Sequence, residues 1–365
     1  MRQDASVPSL WHNNQSKGHS FIQRIARMVG ILAGFCLLLM LGLSLWNLAV
    51  TQWQHAHNPV AGDFYSVDGR QMHIYCTGTG SPTVILEAGA SATWLAWRRV
   101  QPELSQLTRV CSYDRAGHGW SEPRPGPRDA QTIARELHTL LDQAGVQRPL
   151  VLAGHSAGGL YLREYARAFP AEVAGVVLID SSSPQQIDEL PGWRASYEQD
   201  KQAQGRELLM EKLRVWSGWQ RLMGRCRVHP SDEAEVQGFV DQYNAMMCRP
   251  GYVGGEDDEL MYFEESFKQA DRLTSFGSVP LLIISQDTDQ RREGMTANAI
   301  AGEPVWAREQ QAFKSLSPLS WLVIARSAGH SVHHDRLDLV VAEMTLLIRY
   351  LRGGPAPPFG TTTIE

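Results

Sequence analysis

A serine, Ser156, stands in "PLVLAGHSAGGLYLREYARAFP" with Gly154 and Gly158 two residues away on either side. Residues 150–153 read as a short buried strand and residues 160–169 space their apolar side chains as a helix does, so 154–158 must make a tight turn between the two. Small residues on both sides let neighbouring backbone pass close and leave the serine exposed at the strand end. A serine hydroxyl is a weak nucleophile until a histidine takes its proton, and the histidine needs a carboxylate to orient it. Two further apolar runs end in such residues: "WLVIA" leads to "SAGH" with His330, and "PLLIIS" leads to "QDTD" with Asp287 and Asp289. Together these types can perform acyl transfer through a covalent serine intermediate. By composition alone G-x-S-x-G occurs in about one chain in six of this length, so the elements around the serine must decide.

Those elements alternate. From Asp63 onward the chain offers "DFYSV", "MHIYC", "TVILEAG", "RVCSYD", "LVLAG", "VAGVVLID", "PLLIIS" and "WLVIA", separated from the fourth onward by helical patterns. The later runs are nearly continuous in Val, Ile and Leu, as strands of a parallel sheet covered on both faces are. The first two predict a hairpin around "VDGRQ". The fold class expected is therefore α/β, with an eight-stranded, mostly parallel sheet.

The whole chain of 365 residues is 43% hydrophobic, enough for a large core, and its net charge is only −5. No long Lys/Arg run makes an electrostatic case for nucleic acid, and no zinc-like Cys/His spacing or phosphate loop calls for a metal or nucleotide. Between Arg27 and Asp63 there is no charged residue, and the apolar stretch from Met28 to Val50 is of membrane length, since about 22 helical residues cross the hydrocarbon layer. An uncleaved anchor is expected; the small residues Ala49, Ala56 and Ala61 keep a cleaved signal peptide as the alternative. Arg2, Lys17, Arg24 and Arg27 precede the span and the next basic residue is Arg70, which predicts a cytoplasmic N-terminus and everything after the span outside. Residues 1–27 then read as a disordered polar tail in the cytosol and 353–365 as a flexible tail.

From about residue 60 to 350 the chain resembles the α/β-hydrolase family, in its serine-nucleophile, esterase- and lipase-like branch. The resemblance rests on the elbow "GHSAGG", the turn "YDRAGHGWSE", "PLLIISQDTD" and "SAGH", in the family's order of serine, acid, histidine. It implies Ser156 as nucleophile and His330 as base, with His333 and His334 as competitors further along and His118 as a packing residue. For the acid it favours Asp289 over Asp287, with Asp180 at the end of the sixth strand ranked third; Gln286 stands where the family pattern has glycine. The oxyanion donors implied are the backbone N–H groups of Ala157 and Ala90. Glu87 departs from the family's His-Gly pair in that loop and is a candidate to tie it down.

The resemblance also implies a core of residues 60–182 and 279–352 and a helical cap at 183–278. The cap's Leu209, Leu213, Trp216 and Met223 fall at helical spacing with Trp219 beside them, as cap core or as a greasy pocket. In this fold the second strand lies beside the fourth, which pairs Cys76 with Cys111; Cys226 with Cys248 is the second expected bridge, and Cys36 lies in the span. The function implied is a membrane-anchored serine hydrolase acting on a small apolar ester, needing no cofactor, no metal and no obligate protein partner. A small-peptide aminopeptidase of the proline-iminopeptidase kind and an inactive binding protein on the same fold are the alternatives.

Overall fold

The computed structural model describes residues 15–57, 60–226, 234–247, 249, 259–289 and 295–365. All eight expected strands form: β1 (Asp63–Val67), β2 (Arg70–Thr77), β3 (Thr83–Glu87), β4 (Val110–Tyr113), β5 (Leu150–His155), β6 (Val173–Ile179), β7 (Leu281–Gln286) and β8 (Ser320–Ala325). A ninth, β9 (Thr362–Ile364), joins them, and the order across the sheet is β1-β2-β4-β3-β5-β6-β7-β8-β9. β2 runs antiparallel to β1 and β4, and every other pairing is parallel. Asp68 and Gly69, both at positive φ, make the two-residue turn of the β1–β2 hairpin, the conformation in which Asp-Gly is favoured.

Side-chain alternation sends successive residues of the central strands to opposite layers. Ile85, Leu152, Leu178 and Ile283 pack with Leu137 and Leu140 of α2 (Ala130–Gln143) and Leu162 and Tyr165 of α3 (Gly158–Ala168). Val84, Val151, Val177 and Leu282 face the other way, onto Val340, Met344 and Leu347 of α7 (Leu337–Leu351). Both faces are thus covered, and the strand ends are left to carry function.

Three expectations are corrected or refined. Residues 353–365, expected as a flexible tail, include β9, whose Thr362, Thr363 and Ile364 pair with Leu322, Val323 and Ile324 of β8. The eight-stranded sheet is accordingly nine-stranded. The N-terminal helix α1 (Gln15–His57) runs well past both ends of the expected 28–50 span: its 43 residues extend about 65 Å. Part of the tail expected to be disordered is therefore helical, while residues 1–14 lie outside the described residues. Its section Gln23–Gln54 is long and apolar enough to cross a membrane.

Cys76 and Cys111 lie directly opposite on antiparallel β2 and β4 and form a disulfide, with Cα atoms 4.1 Å apart. Cys36 is free and exposed on α1. The other expected bridge includes Cys248, which lies outside the described residues. Between β6 and β7 the described residues include α4 (Trp193–Trp216), α5 (Trp219–Leu222) and a helix at Phe263–Asp271. After β7 comes α6 (Ala297–Ala312).

Candidate active site

Ser156 follows β5 at φ 52°, in the left-handed region that a non-glycine residue adopts only under constraint. The constraint is local. A Cβ on Gly154 would meet the backbone of Gly158 at 2.8 Å, and one on Gly158 would meet the Glu87 and Ala88 carbonyls at 2.7 and 2.8 Å. Neither contact is tolerable, so both positions require glycine. The Ser156 N–H donates to the Ile179 carbonyl at 3.2 Å, and its own carbonyl accepts from Ser182 N–H at 3.0 Å, tying the turn to the end of β6.

His330 lies in the loop after β8, where it was expected. Its Nε2 is 3.0 Å from Ser156 Oγ and its Nδ1 is 2.7 Å from Asp180 Oδ2. The carboxylate on His330 is thus Asp180, not Asp289. Asp289 is exposed on the turn after β7, where its N–H donates to Asp287 Oδ1, and Asp287 Oδ2 accepts from Ser327 N–H. The two candidate acids therefore shape the loop next to the site rather than hold the histidine. Asp180 is fully buried at the end of β6, also at positive φ, and its Oδ1 accepts from Gln286 N–H at 3.0 Å and Trp306 Nε1 at 2.8 Å. β6 and β7 are neighbours ending at one edge, so an acid on either strand comes to the same neighbourhood. The sequence signal was present in "VVLID", an acid closing a buried strand.

Two side chains that sequence reasoning did not single out complete the frame. His155 Nε2 is 2.8 Å from the His330 carbonyl. Burial, aided by the neighbouring His330, lowers the His155 pKa to about 4, so near neutral pH the uncharged ring donates that hydrogen bond. Trp306 of α6 binds Asp180 and sets its ring edge-on to His330, with centroids 5.7 Å apart. His333 is buried against His155 and Trp97, and its pKa is held far down by burial and by the adjacent histidines. It packs in the layer behind the site.

The loop after β3 passes beside the serine: a Cβ on Gly89 would lie 3.2 Å from Ser156 Cβ and 3.0 Å from His155 Nδ1. Ala90 follows, half-buried against the cluster that contains Ala157, the residue capping the N-terminus of α3. Arg115 holds this loop from below, donating to the Ala88 carbonyl at 2.9 Å, the Gly89 carbonyl at 2.8 Å and Glu87 Oε1 at 2.6 Å. The same guanidinium grips Glu259, contributed by the helical segment between β6 and β7. Burial raises the Glu87 carboxyl to about 7, against the opposing pull of Arg115 and the Tyr113 hydroxyl. Burial would raise Glu259 as well, but Arg115 and His118 outweigh it and hold that carboxyl below its ordinary value. His118, within 3.6 Å of Glu259, is itself lowered to about 4 by burial, which fits the packing role expected of it.

A cavity of about 520 Å³ adjoins the site. Trp306 and Gln286, which bind Asp180, line it together with Leu190, Pro191 and Trp193 from the segment after β6. Ser196, Thr296, Asn298 and Glu303 add polar groups, so the wall is mixed. Among the described residues no cluster of His, Cys, Asp and Glu has the makings of a metal site.

The sequence profile of the alpha/beta hydrolase family matches residues 84–343, and the chain belongs to that family. Among its relatives, the uncharacterised protein YbdG of Bacillus subtilis is 24% identical over 243 residues, covering 65% of this chain and 72% of that protein. The solved structure of a thermophilic esterase from Thermogutta terrifontis is similar with a TM-score of 0.56 at 21% identity, over 80% of this chain and 98% of the esterase. An enol-lactonase from Burkholderia xenovorans LB400 gives 0.52 at 18% identity, over 78% and 99% of the two chains. The epoxide hydrolase VrEH1 of Vigna radiata gives 0.56 at 17%, over 80% and 97%. At these identities the solved structures have the fold in common with this chain.

Proposed function

We propose that the chain is a membrane-anchored serine hydrolase that cleaves a carboxylic ester or related acyl bond. The observation that carries this reading is the continuous hydrogen-bond line from Ser156 Oγ through both ring nitrogens of His330 to the buried Asp180. His330 Nε2 takes the serine proton as Oγ attacks the acyl carbon, and Asp180 holds Nδ1–H and stabilises the imidazolium. The oxyanion is received by the N–H groups of Ala157 and Ala90, the first at the positive end of α3 and the second on the loop braced by Arg115. His330 then returns the proton to the leaving alcohol, and water repeats the sequence to release the acid. A hydroxyl at the elbow, in place of a carboxylate, favours acyl transfer over epoxide opening.

The apolar part of the cavity wall, Leu190, Pro191 and Trp193, favours an ester with an apolar group, and the helices between β6 and β7 serve as its cap. The anchor is α1, with residues 1–27 on the cytoplasmic side and the hydrolase domain outside, from the asymmetry of basic residues across the span. A disulfide between β2 and β4 agrees with an oxidising compartment. The reading is tested with a fluorophosphonate probe on membranes carrying the protein: covalent labelling in the wild type and none in Ser156→Ala is expected. Failure of the folded wild type to label removes it. A C-terminal alkaline phosphatase fusion should be active, and an active cytosolic reporter at the same place would reverse the topology.

A further inference from the structure

The outer end of α1 does not stand apart from the domain. Asn47, completely buried, donates from Nδ2 to the Val215 carbonyl at 2.9 Å and accepts at Oδ1 from Arg221 Nε at 2.6 Å. The Arg221 fork continues up the helix, to Thr51 Oγ1 at 3.1 Å and Gln54 Oε1 at 2.8 Å. Gly218, at φ 74° in the bend between α4 and α5, is pressed so closely that a Cβ there would lie 2.7 Å from the Leu43 carbonyl. The partners on α1 are therefore Leu43, Asn47, Thr51 and Gln54, one helical face at a spacing of three to four.

Leu43 and Asn47 lie within the apolar run that ends near Val50, about 5 to 10 Å below its end at 1.5 Å per residue. Whatever touches them in a membrane-spanning α1 must sit at that depth. The α4–α5 corner touches them, and its outward side chains are Leu209, Leu213, Trp216, Trp219, Leu222 and Met223, each 48–58% exposed. Arg214 and Arg225, both exposed, flank them. Paired tryptophans, leucines and flanking arginines are what an element lying in the headgroup and upper acyl region presents.

From this we infer that the α4–α5 corner is a lipid-docking surface, seated in the same leaflet that the outer end of α1 crosses. Its occupant is the bilayer itself, because the patch is continuous with the span and fixed to it at a defined depth. α4 begins at Trp193 on the cavity wall and ends in this patch, so one helix links the cavity that Trp306 shares with Asp180 and His330 to the lipid surface. The substrate class follows: an ester of an amphiphile drawn from that leaflet. The inference rests on the anchored reading proposed above.

The test uses the full chain in vesicles of phosphatidylcholine and phosphatidylglycerol. In a Cys36→Ser background, an environment-sensitive fluorophore is placed at Leu213→Cys or Leu222→Cys, and at Gln143→Cys as reference, exposed at the end of α2 where the chain turns into the start of β5. Blue-shifted emission and quenching by lipids spin-labelled near the headgroup are expected at 213 and 222 and not at 143. Equal, unquenched emission at all three overturns the inference. Fluorophosphonate labelling of Ser156 and an N-terminal tag still present on the chain are scored in the same samples. A labelled, anchored protein with a wet corner refutes the docking surface alone, whereas loss of labelling or of the tag refutes the reading beneath it. The double variant Leu213→Glu, Leu222→Glu should keep its rate on a short soluble ester and lose about tenfold on a long-chain ester embedded in the vesicles. Equal loss on both substrates counts against lipid docking.

Discussion

The strand ends that carry Ser156, Asp180 and His330 and the helical corner that meets α1 are held by different means. At the strand ends backbone does the work: two glycines without room for a Cβ, two residues at positive φ, and hydrogen bonds running from β5 to β6 and from β6 to β7. At the corner a single side chain, Arg221, spans three partners on α1, with one buried Asn47 between. Backbone constraints fix atoms to within tenths of an ångström, as proton transfer requires. Side-chain clamps fix depth and orientation, which suffices for a surface that meets a fluid.

The sharpest break of this comparison falls at the reacting atoms. Ser156→Ala and His330→Ala should each lower kcat on a chromogenic ester by about five to six orders of magnitude, and the double variant should lose no more than either alone. Additive losses would mean that the two do not act as a unit. Next in size, Asp180→Asn should cost about four orders of magnitude through the wrong histidine tautomer, while Asp289→Asn and Asp287→Asn should each stay within about twofold of wild type. The reverse ranking would return the acid role to the loop after β7.

This second prediction marks where the sequence stopped being legible. The approach of His330 to Ser156 could be anticipated because a glycine-framed turn after one strand and a glycine loop after another leave a polar side chain few other places to go. The parallel sheet was readable from its Val, Ile and Leu runs for the same reason. The carboxylate that meets His330 could not, because β6 and β7 end side by side and "VVLID" and "IISQDTD" offer carboxylates to one ring nitrogen from neighbouring strands. Only the three-dimensional turn at Asp180, with Trp306 arriving from α6, distinguishes them. His155 and Trp306 were invisible because their roles depend on loops far away in sequence. The stripe Leu209, Leu213, Trp216 and Met223 was legible as a stripe, but its exposure rather than burial was not. β9 escaped because three residues after a Pro-rich run carry no periodicity.

Smaller effects sharpen the contrast on the stability side. Breaking the Cys76–Cys111 bridge as a double alanine variant should lower unfolding free energy by about 3 to 4 kcal/mol on the chain-entropy account, read as a lower denaturant midpoint in an otherwise folded protein. An unchanged midpoint would assign β2–β4 cohesion to packing alone. An effect of similar size, spread over a pH range, concerns Glu87. Its folded pKa of about 7 lies above the 4.5 of an ordinary glutamate, so the folded state keeps a proton that the unfolded chain has released. Stability should therefore fall as pH rises from about 4.5 to 7, and Glu87→Gln should flatten that slope in thermal melts. A steeper slope in the variant would contradict a buried, proton-bearing Glu87.

β9 has a consequence for how the molecule behaves in company. Without it β8 would end the sheet with a row of unmatched amides and carbonyls, an open template for another chain. With it, the β8 backbone is occupied through Ile324, and Arg326 N–H and Arg336 Nη1 both close on the carbonyl of Glu365. Residues 362–365 thus act as a selvedge: the edge that faces other molecules shrinks from the six residues of β8 to the three of β9, too short a hem for a foreign strand to catch, on the side that leads into the His330 loop.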